Sequence, residues 1–169
     1  DVPANKAYKW DETNGLSVFL DPSGYTGIAP RQKKGSINAM KRDESGSNGL
    51  ILDKSGQLII CMHGDRRIAK LEDWKSKSFS TVVGKYKGKY FNSPNDLVYA
   101  KNGDLYFTDP PYGLKNGDKD TLKELDFNGV FKLTPTGDLS LIIDDLTRPN
   151  GIAISNNQKT LYVAISDTN

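Results

Sequence analysis

The segment that decides the fold is PNDLVYAKNGDLYF, residues 94–107. An asparagine opens a short apolar strand, and the turn at 101–104 places Asn and Gly where a positive φ is easily adopted. A second strand of β-forming residues then returns. This order predicts a β-hairpin with a tight polar turn.

The same hairpin pattern occurs three times along the chain. Asn48, Asn95 and Asn150 hold matched positions at the start of each hairpin, 47 and 55 residues apart. This period fits β-propeller blades of about 40–50 residues with loop insertions. Further strand pairs lie between the hairpins and would supply the outer two strands of four-stranded blades, at 6–10 with 16–20, 68–71 with 79–83, and 129–133 with 139–143.

The chain is therefore predicted to be all-β, with residues 1–169 forming one partial β-propeller domain. It would contain the outer strands of one blade, two full blades and the inner strands of the next, or about three blades. Propellers need at least four blades to close, so we expect the remainder of the same propeller to complete the ring; a homodimer of half-rings is the alternative. The segment 119–125 is predicted to be a loop rather than a helix.

Composition excludes several classes of function. Hydrophobic residues make up 36%, and 23 basic residues nearly balance 21 acidic ones, so no concentrated basic face for nucleic acid is expected. The basic run at 31–34 is interpreted as a solvated loop. No apolar stretch approaches the roughly 20 residues of a membrane span. The single cysteine, Cys61, lies in an apolar run and is interpreted as a buried core residue, with a Cys61–His63 pair as the alternative.

The repeated asparagines are candidate metal ligands. Inner strands of a propeller line its central channel, so Asn48, Asn95 and Asn150 should converge on the axis. Carboxamide oxygens are neutral, hard ligands of the kind that Ca²⁺ takes. The alternative for each asparagine is a role in capping a turn.

Two segments carry a resemblance to a known family, NSPNDL at 92–97 and YFTDPPYGL at 106–114; SNGL at 47–50, HGDRRI at 63–68, RPNGIA at 148–153 and LYVA at 161–164 follow the same order. Together they resemble the senescence marker protein / gluconolactonase / luciferin-regenerating enzyme family over nearly the whole chain. The resemblance implies a six-bladed β-propeller with one divalent metal on its axis, usually calcium, although Zn²⁺ or Mn²⁺ would also fit. It also implies hydrolysis of sugar lactones and related esters.

The resemblance assigns roles to particular residues. Asn95 and Asn150 match metal-ligand asparagines, and Asn48 matches a channel-lining position. The family's Glu ligand would precede Asp1, and its axial Asp would follow Asn169, so no catalytic acid or base is expected within this chain and the fragment alone should be inactive. In the implied mechanism the metal polarises the lactone carbonyl and a carboxylate activates water.

Other polar residues near the predicted channel mouth have two interpretations each. His63 and Tyr112 are predicted to contact substrate together with Asn48 and Asn95, although each could instead be structural. Asp109 and Asp167 follow inner strands and would either bind a metal or hold a turn, whereas Asp96 favours a structural hydrogen bond. The leading function is calcium-dependent lactone hydrolysis; the alternatives are a non-catalytic binding propeller, or the same site acting on organophosphates or other esters.

Overall fold

The computed structural model describes residues 1–31 and 44–166. These ranges form fourteen β-strands and one turn of 3-10 helix at Gly117–Lys119. The strands are β1 (Ala7–Asp11), β2 (Gly15–Leu20), β3 (Ser47–Leu52), β4 (Leu58–Met62), β5 (Arg67–Asp73), β6 (Ser78–Val83), β7 (Lys85–Tyr86), β8 (Lys89–Tyr90), β9 (Leu97–Tyr99), β10 (Leu105–Asp109), β11 (Gly129–Leu133), β12 (Leu139–Ile143), β13 (Pro149–Ile154) and β14 (Leu161–Ile165).

The sheets follow the predicted blade order. Strands β3-β4-β5-β6 and β9-β10-β11-β12 form two four-stranded antiparallel meanders, while β1-β2 and β13-β14 form separate pairs. The prediction of an all-β partial propeller is confirmed. The assignment of the first pair as outer strands and of the last pair as inner strands stays a prediction, with which this sheet order is consistent. Within the described residues no sheet closes on itself.

Turn chemistry explains where each hairpin bends. Gly56 and Gly103 occupy the β3–β4 and β9–β10 turns with φ of +79° and +94°, a conformation that glycine adopts without a Cβ clash. In the β13–β14 turn the corresponding left-handed position is taken by Gln158, with φ of +62°. Its side chain donates to the backbone oxygen of Ser155 at 2.9 Å. This hydrogen bond stabilises the turn although the residue is not glycine.

Strand β4 is apolar at every position because both of its faces are buried. Ile59 and Cys61 pack in a core shared with Phe107 and Phe131 of the following blade. Ile60 and Met62 point the other way, into a core shared with the β1-β2 pair. Alternation with a period of two therefore places successive side chains in two different interblade cores, and the prediction that Cys61 is a buried core residue is confirmed.

Neighbouring blades also meet through their inner strands. The Gly49 N–H of β3 donates to the backbone oxygen of Asn95 at 2.7 Å. A Cβ on Gly49 would lie 2.9 Å from that oxygen and 2.7 Å from Leu97 Cδ2, so only glycine permits this approach. The asparagine ends of adjacent inner strands are thereby held side by side.

The segment 119–125 contains no helix beyond the end of the 3-10 turn, as predicted. The short β7-β8 hairpin was not predicted from the sequence. In the basic run, residues 32–34 lie outside the described ranges, while Arg31 is half-buried and donates to the backbone oxygen of Gly113. In the part of the chain that the structure covers, no helix has the length and apolarity to cross a membrane.

Candidate metal centre

The three asparagines lie at the same end of the three inner strands. Asn48 and Asn150 are the second residues of β3 and β13, and Asn95 lies two residues before β9. Asn95 is almost fully buried, whereas Asn48 and Asn150 are half-buried. The blade repeat therefore brings the asparagines to one end of the sheets, as the period predicted.

His63 lies fully buried directly behind two of these asparagines. Its Nδ1 is 3.3 Å from the backbone oxygen of Glu44, which can only accept, so Nδ1 carries the proton. Burial lowers the pKa of His63 to about 4, so the ring is neutral at pH 7. Nε2 is then an acceptor with one lone pair.

That acceptor determines the orientation of two carboxamides. The Nδ2 atoms of Asn48 and Asn95 each lie 3.4 Å from His63 Nε2, so the two amides share a single lone pair. A flipped carboxamide would place its oxygen against the lone pair of Nε2, which is repulsive. The Oδ1 atoms of Asn48 and Asn95 must therefore face away from His63, and among residues 1–31 and 44–166 neither accepts a hydrogen bond.

Asn150 is held in a similar way by a different partner. Its Nδ2 donates to Ser166 Oγ at 2.9 Å, and its backbone oxygen accepts from Thr108 Oγ1 at 2.6 Å. The backbone oxygen of Thr108 also accepts from the Asn95 N–H at 2.9 Å. Thr108 thus ties Asn95 to Asn150 across two blades, and Asn150 Oδ1 has no donor within the described ranges.

The two acidic residues nearest the asparagines hold the backbone. Asp96 accepts from the N–H groups of Leu97 and Ile152, both at 2.9 Å, which is the structural hydrogen-bond role favoured from the sequence. Asp109 is fully buried and accepts from the N–H groups of Asn92 and Ser93, both at 2.8 Å. It therefore holds a turn. Burial raises the pKa of Asp109 to about 7, against the opposing effect of those two N–H groups and of Arg66. Asp167 lies outside the described residues.

Tyr112 and Gly113 form a turn that packs against the histidine. A Cβ on Gly113 would lie 2.8 Å from His63 Cβ and 2.6 Å from Ser93 Cβ, so glycine is needed for this contact. The buried Tyr112 hydroxyl has no hydrogen-bond partner in the described structure. Because this hydroxyl is buried, a substrate does not reach it in the conformation described.

The donor set present here suits a hard cation only in part. The neutral carboxamide oxygens of Asn95 and Asn150 accept no hydrogen bond from the described residues and are therefore available to a cation. Ca²⁺ takes six to eight oxygen ligands. No group of three or more His, Cys, Asp and Glu side chains that could hold a metal comes together in the described residues. The asparagines therefore fit calcium as a partial ligand set.

Sequence reasoning identified the asparagines but missed the residues that hold their amides. The repeat itself could have indicated these residues, because they follow the second strand of each hairpin directly. They are His63 after β4, Pro110 after β10 and Ser166 after β14. His63 and Ser166 bind the asparagine of their own blade. Proline has no side-chain hydrogen-bonding group, so Asn95 turns to His63 of the neighbouring blade.

Comparison with known proteins agrees with this fold. A family model described as the SMP-30/Gluconolactonase/LRE-like region matches residues 1–169. The chain belongs to this family of β-propeller proteins.

The individual proteins that the chain resembles include several gluconolactonases. A gluconolactonase of Zymomonas mobilis is 46% identical over 167 residues, which is 99% of this chain and 44% of the relative. Two solved structures, a structural-genomics target of the gluconolactonase type and a gluconolactonase from Xanthomonas campestris, are each 31% identical, with TM-scores of 0.77 and 0.76. Each covers 98% of this chain, and the match spans 50% and 49% of those chains. The chain thus spans about half the length of the relatives that it matches.

Proposed function

We propose that this chain provides half of the active site of a calcium-dependent lactone hydrolase of the gluconolactonase type. The observation that carries the proposed activity is the 46% identity to the Zymomonas gluconolactonase across 99% of the chain. The carboxamide oxygens of Asn95 and Asn150, which accept no hydrogen bond from the described residues, support the proposal that the site binds a metal. The rest of the propeller would supply the charged ligands and the base.

The proposed chemistry divides between the ion and the chain. Calcium, when bound, acts as a Lewis acid that polarises the lactone carbonyl. Asn95 and Asn150 would each contribute a neutral oxygen to the ion, which leaves most of its charge available to the substrate. Both asparagines are fixed by bonds to their amide nitrogens, so their oxygens are pre-organised.

The remaining predicted substrate contacts have different support. Asn48 has the same amide arrangement as Asn95 and is more exposed, which suits a channel-lining side chain that meets the sugar. The Tyr112 hydroxyl has no partner in the described structure but is buried, so contact with a sugar hydroxyl would require its turn to open. His63 is completely enclosed, so its part in substrate binding would be indirect, through the asparagines.

A pH-stat assay of the full-length protein with glucono-lactone tests the proposal, because hydrolysis releases an acid. We expect calcium-dependent turnover that a chelator abolishes and added Ca²⁺ restores, with Zn²⁺ and Mn²⁺ as comparison ions. Lactone decay no faster than in buffer, with calcium supplied, would contradict the proposal. Turnover of organophosphates or other esters but not of lactones would identify the alternative substrate class, and no turnover with retained ligand binding would indicate a non-catalytic propeller.

A further inference from the structure

We infer that His63 is the positioning residue that orients the carboxamide oxygens of Asn48 and Asn95, acting through its Nε2 lone pair. This inference rests on the proposed function, because it concerns the same metal centre. It assigns to His63 a role different from substrate contact, and it joins two blades in one hydrogen-bonded unit.

The hydrogen bonds through the His63 ring run in one direction. The Glu44 carbonyl accepts from His63 Nδ1 at 3.3 Å, which leaves Nε2 as the acceptor. The amides of Asn48 and Asn95 then donate to it, both at 3.4 Å. One backbone carbonyl therefore determines the orientation of two carboxamide oxygens.

The His63 ring lies in a closely packed environment. His63 is fully buried, and Gly113 lies so close that a Cβ there would be 2.8 Å from His63 Cβ and 3.0 Å from the His63 carbonyl oxygen. The His63 N–H donates to the backbone oxygen of Gly46 at 3.2 Å. These contacts hold the backbone and Cβ from which the ring projects, and burial encloses the ring itself, as a residue that positions ligands requires.

The third blade has a residue with the same role at the equivalent position. Ser166, at the position equivalent to His63, binds the amide of Asn150. Two different side chains thus perform the same task at the same place in the repeat, and the blade with Pro110 there uses the histidine of its neighbour. A residue that only filled space would not be expected to reproduce this hydrogen bond.

Two substitutions in the full-length protein separate the two ends of the imidazole. His63→Gln places a terminal carboxamide near the position of Nε2 and can keep the acceptor, whereas His63→Asn is shorter and keeps only the donor towards Glu44. We expect calcium affinity, measured by calorimetry, to fall about 10- to 100-fold in His63→Asn and to stay within about threefold of wild type in His63→Gln. Melting temperatures in chelator provide the structural reference.

The outcomes distinguish this inference from the proposed function. If wild type binds calcium and the two variants lose affinity equally, or in proportion to lost stability, His63 is only structural and the inference alone is wrong. If wild type binds no calcium, the proposed metal centre and the inference are both wrong.

A measurement on the wild-type protein keeps the test independent of whether the variants fold. Nitrogen-15 NMR of the imidazole should show a neutral ring protonated at Nδ1. Protonation at Nε2 would overturn the inference, because that nitrogen could not then accept from either asparagine.

Discussion

The β3-β4 hairpin and the β9-β10 hairpin share one pattern but hold their asparagines differently. In the first, Asn48 is bound by the histidine that follows β4 of its own blade. In the second, Pro110 follows β10, and Asn95 is bound by His63 of the preceding blade. The repeat determines where each asparagine stands, while the single residue after the second strand determines what holds its amide.

This difference makes the two hairpins dependent on each other. Losing the post-strand partner in the first blade would affect the asparagines of two blades, whereas losing Ser166 would affect Asn150 alone. The structure therefore predicts unequal effects from substitutions at equivalent positions of the repeat.

The largest effect is expected from the asparagines themselves. Asn95→Ala or Asn150→Ala removes a proposed ligand oxygen. Loss of a residue that only supports a ligand costs up to about 100-fold, so kcat/KM for lactone should fall by more than this in either variant. Asn156→Ala is the matched control, because Asn156 is exposed at the opposite end of the β13-β14 hairpin. Activity within a few-fold of wild type in both ligand variants would exclude them as ligands.

The link between the blades should be visible in stability. Thr108→Val keeps the shape of the side chain but leaves the backbone oxygen of Asn150 and the N–H of Asp96 without Oγ1 as a partner. Chemical denaturation should show a loss of about 2 kcal/mol, since a buried polar group left unpaired costs about 1–3 kcal/mol and both of these groups are only partly buried. The exposed Thr160→Val variant should be near neutral; equal effects for the two would mean that the link is unimportant.

The comparison of post-strand residues predicts a smaller effect at the third blade. Ser166→Ala removes one neutral hydrogen bond to the Asn150 amide, worth about 0.5–1.5 kcal/mol, so calcium affinity should fall about threefold to tenfold. Calorimetry on the full-length protein, beside His63→Asn, measures the ratio. A larger loss for Ser166→Ala than for His63→Asn would contradict the assignment of His63 to two asparagines.

Two buried groups are expected to give opposite pH dependences, which partly cancel in the wild-type protein. The pKa of His63 falls from 6.5 to about 4 on folding, so its contribution to stability is full above pH 6.5 and declines as the pH falls towards 4. The pKa of Asp109 rises from 3.8 to about 7, so its contribution is full below pH 3.8 and declines as the pH rises towards 7. The two contributions oppose each other between pH 4 and 6.5.

Variants at these positions should separate the two slopes. In chelator, His63→Gln should gain stability relative to wild type as the pH falls from 6.5 to 4, so its free energy of unfolding should rise relative to that of wild type. Asp109→Asn should gain stability relative to wild type as the pH rises from 4 to 7. Urea titrations across this range give both slopes, and parallel curves for the three proteins would show that neither group is perturbed by burial.

The sequence predicted the fold because the local signals repeat. Alternating apolar residues and Gly- or Asn-containing turns give the strand order directly, and the period places the three asparagines together. The enclosure of His63 could not be predicted, because it depends on Glu44, Gly46 and Gly113, which are distant in sequence and meet only through blade packing. The same holds for the bond from the Ile152 N–H to Asp96 and for those from the Asn92 and Ser93 N–H groups to Asp109, which join residues that meet only in the fold.

The most direct test of the account is a crystal structure of the full-length protein with calcium. The account predicts one ion at this end of the inner strands, with Oδ1 of Asn95 and Asn150 about 2.3–2.6 Å away and the amide nitrogens of Asn48 and Asn95 towards His63 Nε2. An ion bound elsewhere, or an ion contacted by neither asparagine, would contradict it.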